Sequence, residues 1–267
     1  MKAPEKYTAN RIRAMKGREQ IVCLTAYDYA TAQLVDAAGI HLILVGDSLA
    51  MTVLGYDTTL PVTVEQMLHH TAAAARGVEH ALLVADMPFM SYHASTEEGV
   101  RNAGRFVKSA GADAVKIEGG ASRRALVEQL VDAGIPVLGH IGLTPQSIRT
   151  MGGYKVQGKT DPAAEQLLED ARVLNAAGVF AIVLECVPAA LGGALREAVD
   201  VPIIGIGAGP QCDGQILVFH DILGLFSAFT PKFAKRYAEL GDAMKQAFET
   251  YRKEVQDGHF PAEEHCF

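Results

Sequence analysis

Eight short apolar runs, each set off from the next by polar or amphipathic sequence, constrain this chain more than any other feature. They are IVCLTAYD (21–28), HLILVGDS (41–48), ALLVADMPF (81–89), AVKIEGG (114–120), PVLGHIGL (136–143), VFAIVLECVP (179–188), VPIIGIGAG (201–209) and QILVFHDILGL (215–225). Runs this continuously apolar suit strands buried on both faces of a parallel sheet. The sequence between them carries helix signals. Thr63 with Gln66, and Ser95 with Glu98, have capping-box spacing. Val64, Met67, Leu68 and Thr71 share one helical face, and so do Leu126, Val127, Leu130, Val131 and Gly134. The stops repeat: Ala38-Gly39-Ile40, Ala110-Gly111-Ala112, Ala133-Gly134-Ile135 and Ala177-Gly178-Val179 each close a helix just before an apolar run. Glycine there can enter the left-handed region, so the chain turns directly into a strand.

One turn chemistry used four times implies a repeated βα unit, and strands alternating with helices imply a parallel sheet. Eight units favour a closed (β/α)8 TIM barrel, a fold that runs to about 250 residues as one domain. Residues 1–267 therefore read as a single catalytic domain, with an open doubly wound sheet as the alternative. The 49% hydrophobic content supplies a large core. Tryptophan is absent, so that core is aliphatic, as barrel interiors are. Residues 144–162 read as a long irregular stretch and 255–267 as an irregular tail.

A net charge of -7 argues against nucleic acid as a partner. Cys23, Cys186, Cys212 and Cys266 contain no C-x-x-C pair and read as reduced thiols. The N-terminal MKAPEKYTAN lacks the apolar core of a secretory signal, and no apolar run approaches the ~20 residues of a membrane span. A soluble, cytoplasmic protein without a membrane partner is expected.

Barrel active sites lie at the C-terminal ends of the strands. Asp47, Asp86, Glu118 and Glu185 each fall there, directly after an apolar run. Four carboxylates sharing one mouth repel, and a divalent cation relieves that repulsion. Oxygen donors suit Mg2+ or Mn2+ rather than Zn2+. Each acid could instead cap a helix or pair with an arginine. Lys116, two residues before Glu118 on the same strand, faces the same interior. It needs a carboxylate or an anionic substrate there, and neighbouring carboxylates keep it protonated, which disfavours a Schiff base. A salt bridge inside the barrel is its other reading. His140 reads equally as a donor to substrate or as a satisfied core histidine. His69-His70 reads as structural.

Residues 153–160, GYKVQGKT, match the P-loop pattern literally, but polar sequence precedes them where a strand is required. The next helix begins at Asp161-Pro162, read as an N-cap followed by proline at the first helical position. A glycine-rich lid over the mouth is the better reading. GIGAGP (205–210) fits either phosphate binding after the seventh strand or close backbone packing.

The segments LVGDSLAMTVLGYDTTLPVT (44–63), ADMPFMSY (85–92), AVKIEGG (114–120), GHIGLTPQS (139–147), GGYKVQGKT (152–160), LECVP (184–188) and IIGIGAGPQCDGQILVFHDILG (203–224) together resemble the ketopantoate hydroxymethyltransferases, in order and across nearly the whole chain. The resemblance implies a barrel of the phosphoenolpyruvate mutase/isocitrate lyase type. It implies Mg2+ at Asp47, Asp86 and Glu118, oxo-acid contacts from Asp47, Ser48, Asp86 and Lys116, and Glu185 as the acid/base. It implies 5,10-methylenetetrahydrofolate as co-substrate, 3-methyl-2-oxobutanoate as acceptor and a homodecamer. A metal-dependent carbon–carbon lyase acting on a 2-oxo or 2-hydroxy acid is the alternative, but the K-K-C-G-H loop of the isocitrate lyases is missing.

Overall fold

The computed structural model describes residues 5–225 and 230–267; the first four residues of the N-terminal segment lie outside them. The chain forms two compact units, Met1–Val218 and Phe219–Phe267. In the first, eight parallel strands close into a barrel in sequence order. They are β1 (Ile21–Thr25), β2 (Leu42–Val45), β3 (Leu82–Asp86), β4 (Ala114–Glu118), β5 (Val137–Gly142), β6 (Ala181–Glu185), β7 (Ile203–Ile206) and β8 (Gly214–Leu217). The helices of this unit are α1 (Ala9–Ala14), α2 (Tyr29–Ala37), α3 (Leu49–Thr52), α4 (Val64–Ala75), α5 (Thr96–Ala110), α6 (Arg124–Asp132), α7 (Ile148–Met151), α8 (Asp161–Ala177) and α9 (Ala189–Ala198). The second unit holds α10 (Phe219–Ile222) and α11 (Leu240–Gln256), with a short 3-10 turn at Glu263–His265. No helix among the described residues is long and apolar enough to cross a membrane.

Strands β2 to β5 are buried on both faces, as their unbroken apolar runs require. Alternate residues, among them Cys23, Leu44, Val84, Leu138, Val183 and Ile204, fill the barrel interior. Ile12 and Met15, from α1 and its C-cap, join that cluster and plug the N-terminal end. All four glycine stops take the left-handed conformation, with φ of 78° at Gly39, 77° at Gly111, 79° at Gly134 and 97° at Gly178. Only the Thr63–Gln66 pair forms a reciprocal capping box; Ser95 accepts from Glu98 N without a return bond. On α4 the buried positions are Met67, Thr71 and Ala74, with Val64 and Leu68 half-buried at the flanks. On α6, Leu126, Val127 and Leu130 are buried, whereas Val131 and Gly134 are exposed.

Several elements differ from the sequence reading. The apolar runs overshoot the strands, because their last residues turn over the barrel rim. The eighth run is two elements, β8 and α10. No helix joins β7 to β8: residues 207–213 return directly from the top of one strand to the foot of the next. Seven extended residues span up to about 23 Å, enough for a four-residue strand. The outward faces of β1 and β8 stay exposed, at Val22 and Gln215. In GIGAGP, close packing explains the glycines: a Cβ on Gly209 would lie 2.5 Å from Ala189 Cβ. Helix α8 has Thr160, not Asp161, as its N-cap. Residues 144–162 are not uniformly irregular, since a 3-10 turn (Pro145–Ser147) leads into α7. Regular structure also enters the tail, where α11 runs to Gln256.

The foot of the barrel is fastened by Asp213. Its buried carboxylate accepts from Lys16 Nζ (3.1 Å), Gly17 N (3.2 Å), Arg196 Nε (2.8 Å) and Ile203 N (3.0 Å). Asp213→Ala removes the carboxylate partner of both cations and of two amides, leaving Lys16 only the carbonyls of Arg196 and Val201. A loss of about 3 kcal/mol in urea-denaturation stability is expected, the scale for breaking a buried ion pair from one side.

Candidate active site

Strand register builds the site. Asp86 ends β3 and is the direct neighbour of Lys116 on β4. Glu118 on β4 is the neighbour of His140 on β5, and Gly142 on β5 of Glu185 on β6. Side chains paired across a parallel ladder share a face, so these groups stand together above the aliphatic layers. Asp47 lies two residues beyond β2, in the turn that starts α3, and its N–H donates to Asp86 Oδ2 at 3.1 Å.

The ammonium of Lys116 is central. It donates to both oxygens of Asp86 at 2.7 Å and to Glu118 Oε1 at 3.3 Å, and all three residues are buried. Burial works against the ammonium, but Asp86, Glu118 and Asp47 outweigh it and raise the lysine above its usual range. Glu118 resists its own burial through Lys116 and His140 and is held at about 2. Asp47 has no ion pair among the described residues; burial, then repulsion from Asp86 and Glu118, pushes it well above the carboxylate range. Burial raises Asp86 as well, against the pull of Lys116.

His140 bridges two acids. Its Nδ1 is 3.3 Å from Glu118 Oε1 and its Nε2 is 3.3 Å from Glu185 Oε2, although neither contact has the alignment of a hydrogen bond. Burial and Lys116 oppose its protonation, yet the two carboxylates prevail and the imidazole is raised to about 9. Glu185 differs from its neighbours in exposure: its side chain is 15% exposed, against 2% for Asp86 and Glu118. Close approach of the strands holds it there, because a Cβ on Gly142 would sit 2.3 Å from Glu185 O. Ser48 is fixed through its hydroxyl, 2.8 Å from the Tyr27 hydroxyl.

The glycine-rich segment lies across this mouth. Tyr154 Oη reaches Met51 Sδ at 3.7 Å on one side, and Gln157 N donates to Cys186 O at 2.8 Å on the other. Burial, then Asp47, Glu185 and Glu118, raises the Tyr154 phenol, so it faces the same carboxylates. The segment follows α7, not a strand, which removes the P-loop reading. His70 is structural: its Nδ1 meets Tyr27 O at 2.7 Å.

The sequence reading did not single out Gln146 or Tyr92. Gln146 is buried, and its amide contacts Asp47 Oδ2 (3.0 Å), Met87 O (3.0 Å) and the Tyr92 hydroxyl (2.7 Å). Polar residues in an aperiodic segment carry no burial pattern. Its place four residues past the end of β5, where barrel sites form, is the one available pointer.

Four carboxylates face one ammonium and one imidazole. Full ionisation of all four would leave two negative charges uncompensated even with both cationic; burial and that excess hold Asp47 toward its neutral form, and the donors are all oxygen. That chemistry fits a divalent cation such as Mg2+. Among the described residues no three side chains already converge as ligands around one point. Lys116 Nζ stands between Asp86 and Glu118, and Asp47, Asp86 and Glu118 are the residues that could hold such a cation.

A family model described as ketopantoate hydroxymethyltransferase matches residues 6–263. A 3-methyl-2-oxobutanoate hydroxymethyltransferase of Clostridium novyi (strain NT) is 56% identical over 255 residues, 96% of this chain and 93% of that protein. One of Syntrophus aciditrophicus (strain SB) is 54% identical over 263 residues, 98% of this chain and 97% of that protein. Among solved structures, phosphoenolpyruvate phosphomutase from Streptomyces platensis subsp. rosaceus superposes with a TM-score of 0.62 at 16% identity, covering 94% of this chain and 88% of that one. A 2,3-dimethylmalate lyase, a PEP mutase/isocitrate lyase superfamily member, gives 0.60 at 17% identity, covering 99% and 93%. These two likenesses concern the fold alone.

Replacing Lys116 by Met tests its place as the compensating cation. Asp47 and Asp86, already raised, then rise further. A carboxyl raised on folding contributes stability fully below its unfolded value of about 4 and loses it as pH climbs through the folded value. The metal-free variant should therefore lose melting temperature from pH 4.5 to pH 8 more steeply than the unsubstituted chain. Parallel profiles would contradict the assignment.

Proposed function

We infer the reaction from the premise that this chain belongs to the ketopantoate hydroxymethyltransferase family. It catalyses transfer of a hydroxymethyl group to 3-methyl-2-oxobutanoate. With 5,10-methylenetetrahydrofolate as donor and one water consumed, the products are 2-dehydropantoate and tetrahydrofolate. The observation that carries the reading is a buried Lys116, ion-paired with Asp86 and Glu118, in the same site as one carboxylate, Glu185, that still opens to the mouth.

Asp47, Asp86 and Glu118 are the residues that would hold Mg2+. When bound, the ion supplies Lewis acidity toward the carboxylate and 2-oxo oxygens of the substrate. Lys116 places a fixed positive charge where the 2-oxo oxygen gains negative charge as C3 loses its proton. Glu185 takes that proton. His140, between Glu118 and Glu185, keeps the base turned toward the mouth. Ser48, anchored by Tyr27, offers its hydroxyl to the substrate carboxylate. The 152–160 segment sheds water from the carbanionic carbon, so that it meets the methylene donor instead of a solvent proton.

The same reading places the enzyme in the cytoplasm in pantothenate and coenzyme A synthesis, with small-molecule partners and neither nucleic acid nor membrane. It assembles as a homodecamer; the exposed apolar side chains of Met244, Phe248 and Tyr251 on α11 support self-association.

Proton exchange checks the chemistry without the folate. The chelator-treated protein is incubated with 3-methyl-2-oxobutanoate in D2O and followed by NMR. Loss of the C3 proton signal is expected with Mg2+ and not without it. Glu185→Gln should keep Mg2+ binding and slow exchange about 10²–10⁴-fold, the usual contribution of a positioned base. Unchanged exchange in that variant would refute the role given to Glu185.

A further inference from the structure

We propose that Gln146 is the positioning residue of the metal site: it pins Asp47 and Glu118 in their ligating orientation from the base of the segment that covers the mouth. The proposal rests on the metal reading above. Gln146 sits in the 3-10 turn between β5 and α7, far in sequence from both carboxylates, yet it touches each. Its side-chain Nε2 donates to Asp47 Oδ2 at 3.0 Å, and its backbone N donates to Glu118 Oε2 at 3.0 Å.

The orientation of the amide is determined. Met87 O can only accept, so the NH2 group faces it and Asp47, and Oε1 faces Tyr92. The Tyr92 hydroxyl accepts from Glu118 N at 3.0 Å and sends its hydrogen to Gln146 Oε1 at 2.7 Å. Glu118, Tyr92 and Gln146 thus form a closed hydrogen-bonded circuit, and the Gln146 amide reaches from it to Asp47.

Charge shows why the circuit matters. Lys116 contacts Asp86 and Glu118 but does not bond to Asp47. Among the described residues the amide of Gln146 is the side-chain donor within hydrogen-bond distance of Asp47, a carboxylate that has no ion pair there. A neutral donor steadies an anionic ligand without competing for the cation as a second ammonium would. Partners of this kind behind a metal's ligands typically carry 10- to 100-fold in metal affinity.

Mg2+ titration calorimetry on the full chain tests this with Gln146→Met, Tyr92→Phe and the double variant. Gln146→Met keeps the side-chain length and removes the amide; Tyr92→Phe keeps the ring and removes only the hydroxyl that sets the amide. The expected result is Mg2+ binding weakened 10- to 100-fold by Gln146→Met, weakened less by Tyr92→Phe, and no weaker in the double variant than in Gln146→Met. Asp213→Ala, destabilised at the opposite end of the barrel, should keep the unsubstituted affinity. Equal loss in Asp213→Ala would reduce the effect to general loosening and overturn the proposal. Unchanged affinity in Gln146→Met overturns it too, as does unchanged affinity in Tyr92→Phe if Gln146→Met does not fold. An unsubstituted chain that takes up no Mg2+ overturns the metal reading itself, and this proposal with it.

Discussion

The buried ammonium of Lys116 is the interaction on which the rest of the site depends. A lone charge at that depth costs several kcal/mol even after the protein relaxes around it. The two 2.7 Å contacts to Asp86 offset that cost, and Glu118 adds a third contact from a second partner. The compensation runs in both directions. Lys116 favours the ionised form of Glu118 in the barrel, and the carboxylates favour the charged form of Lys116. The arrangement is a property of the strands: Asp86 and Lys116 are ladder neighbours, and a shift of one residue between β3 and β4 would turn one of them outward.

The two ends of the barrel divide their labour. The lower end is finished for stability, with Ile12 and Met15 filling the opening and Asp213 drawing Lys16, Arg196 and two backbone amides together. The upper end is left charged, undercompensated and only partly covered. Asp47 marks that imbalance most clearly, a carboxylate held deep in protein with an amide for company. Stability concentrated below permits electrostatic strain above, a common partition in barrels of this class.

Much of this organisation is legible in the sequence, for specific physical reasons. Strands covered on both faces must be apolar throughout, so β2 to β5 announce themselves. A helix that turns at once into a strand needs a left-handed residue, so Gly39, Gly111, Gly134 and Gly178 mark four boundaries. An acid placed directly after an apolar run is conspicuous, which brings out Asp47, Asp86, Glu118 and Glu185. Gln146 and Tyr92 escape notice because their importance lies in contacts between segments distant in sequence, and nothing local encodes those. The direct return from β7 to β8 escapes notice because a seven-residue link between parallel strands violates the rhythm of the other units. Gly209 there looks like part of a ligand-binding loop when it is making room for α9.

The plug at the lower end has a kinetic meaning. With α1 seated in that opening, the barrel is a vessel with a single door. Anything bound beside Lys116 arrived through the rim and has to leave the same way. If the second reactant of the proposed reaction sits over that rim, a small acid would have to descend before it, and the product would stay below until its remnant had gone. The sealed floor thus turns spatial depth into a queue, first in and last out, without any moving part having to enforce it.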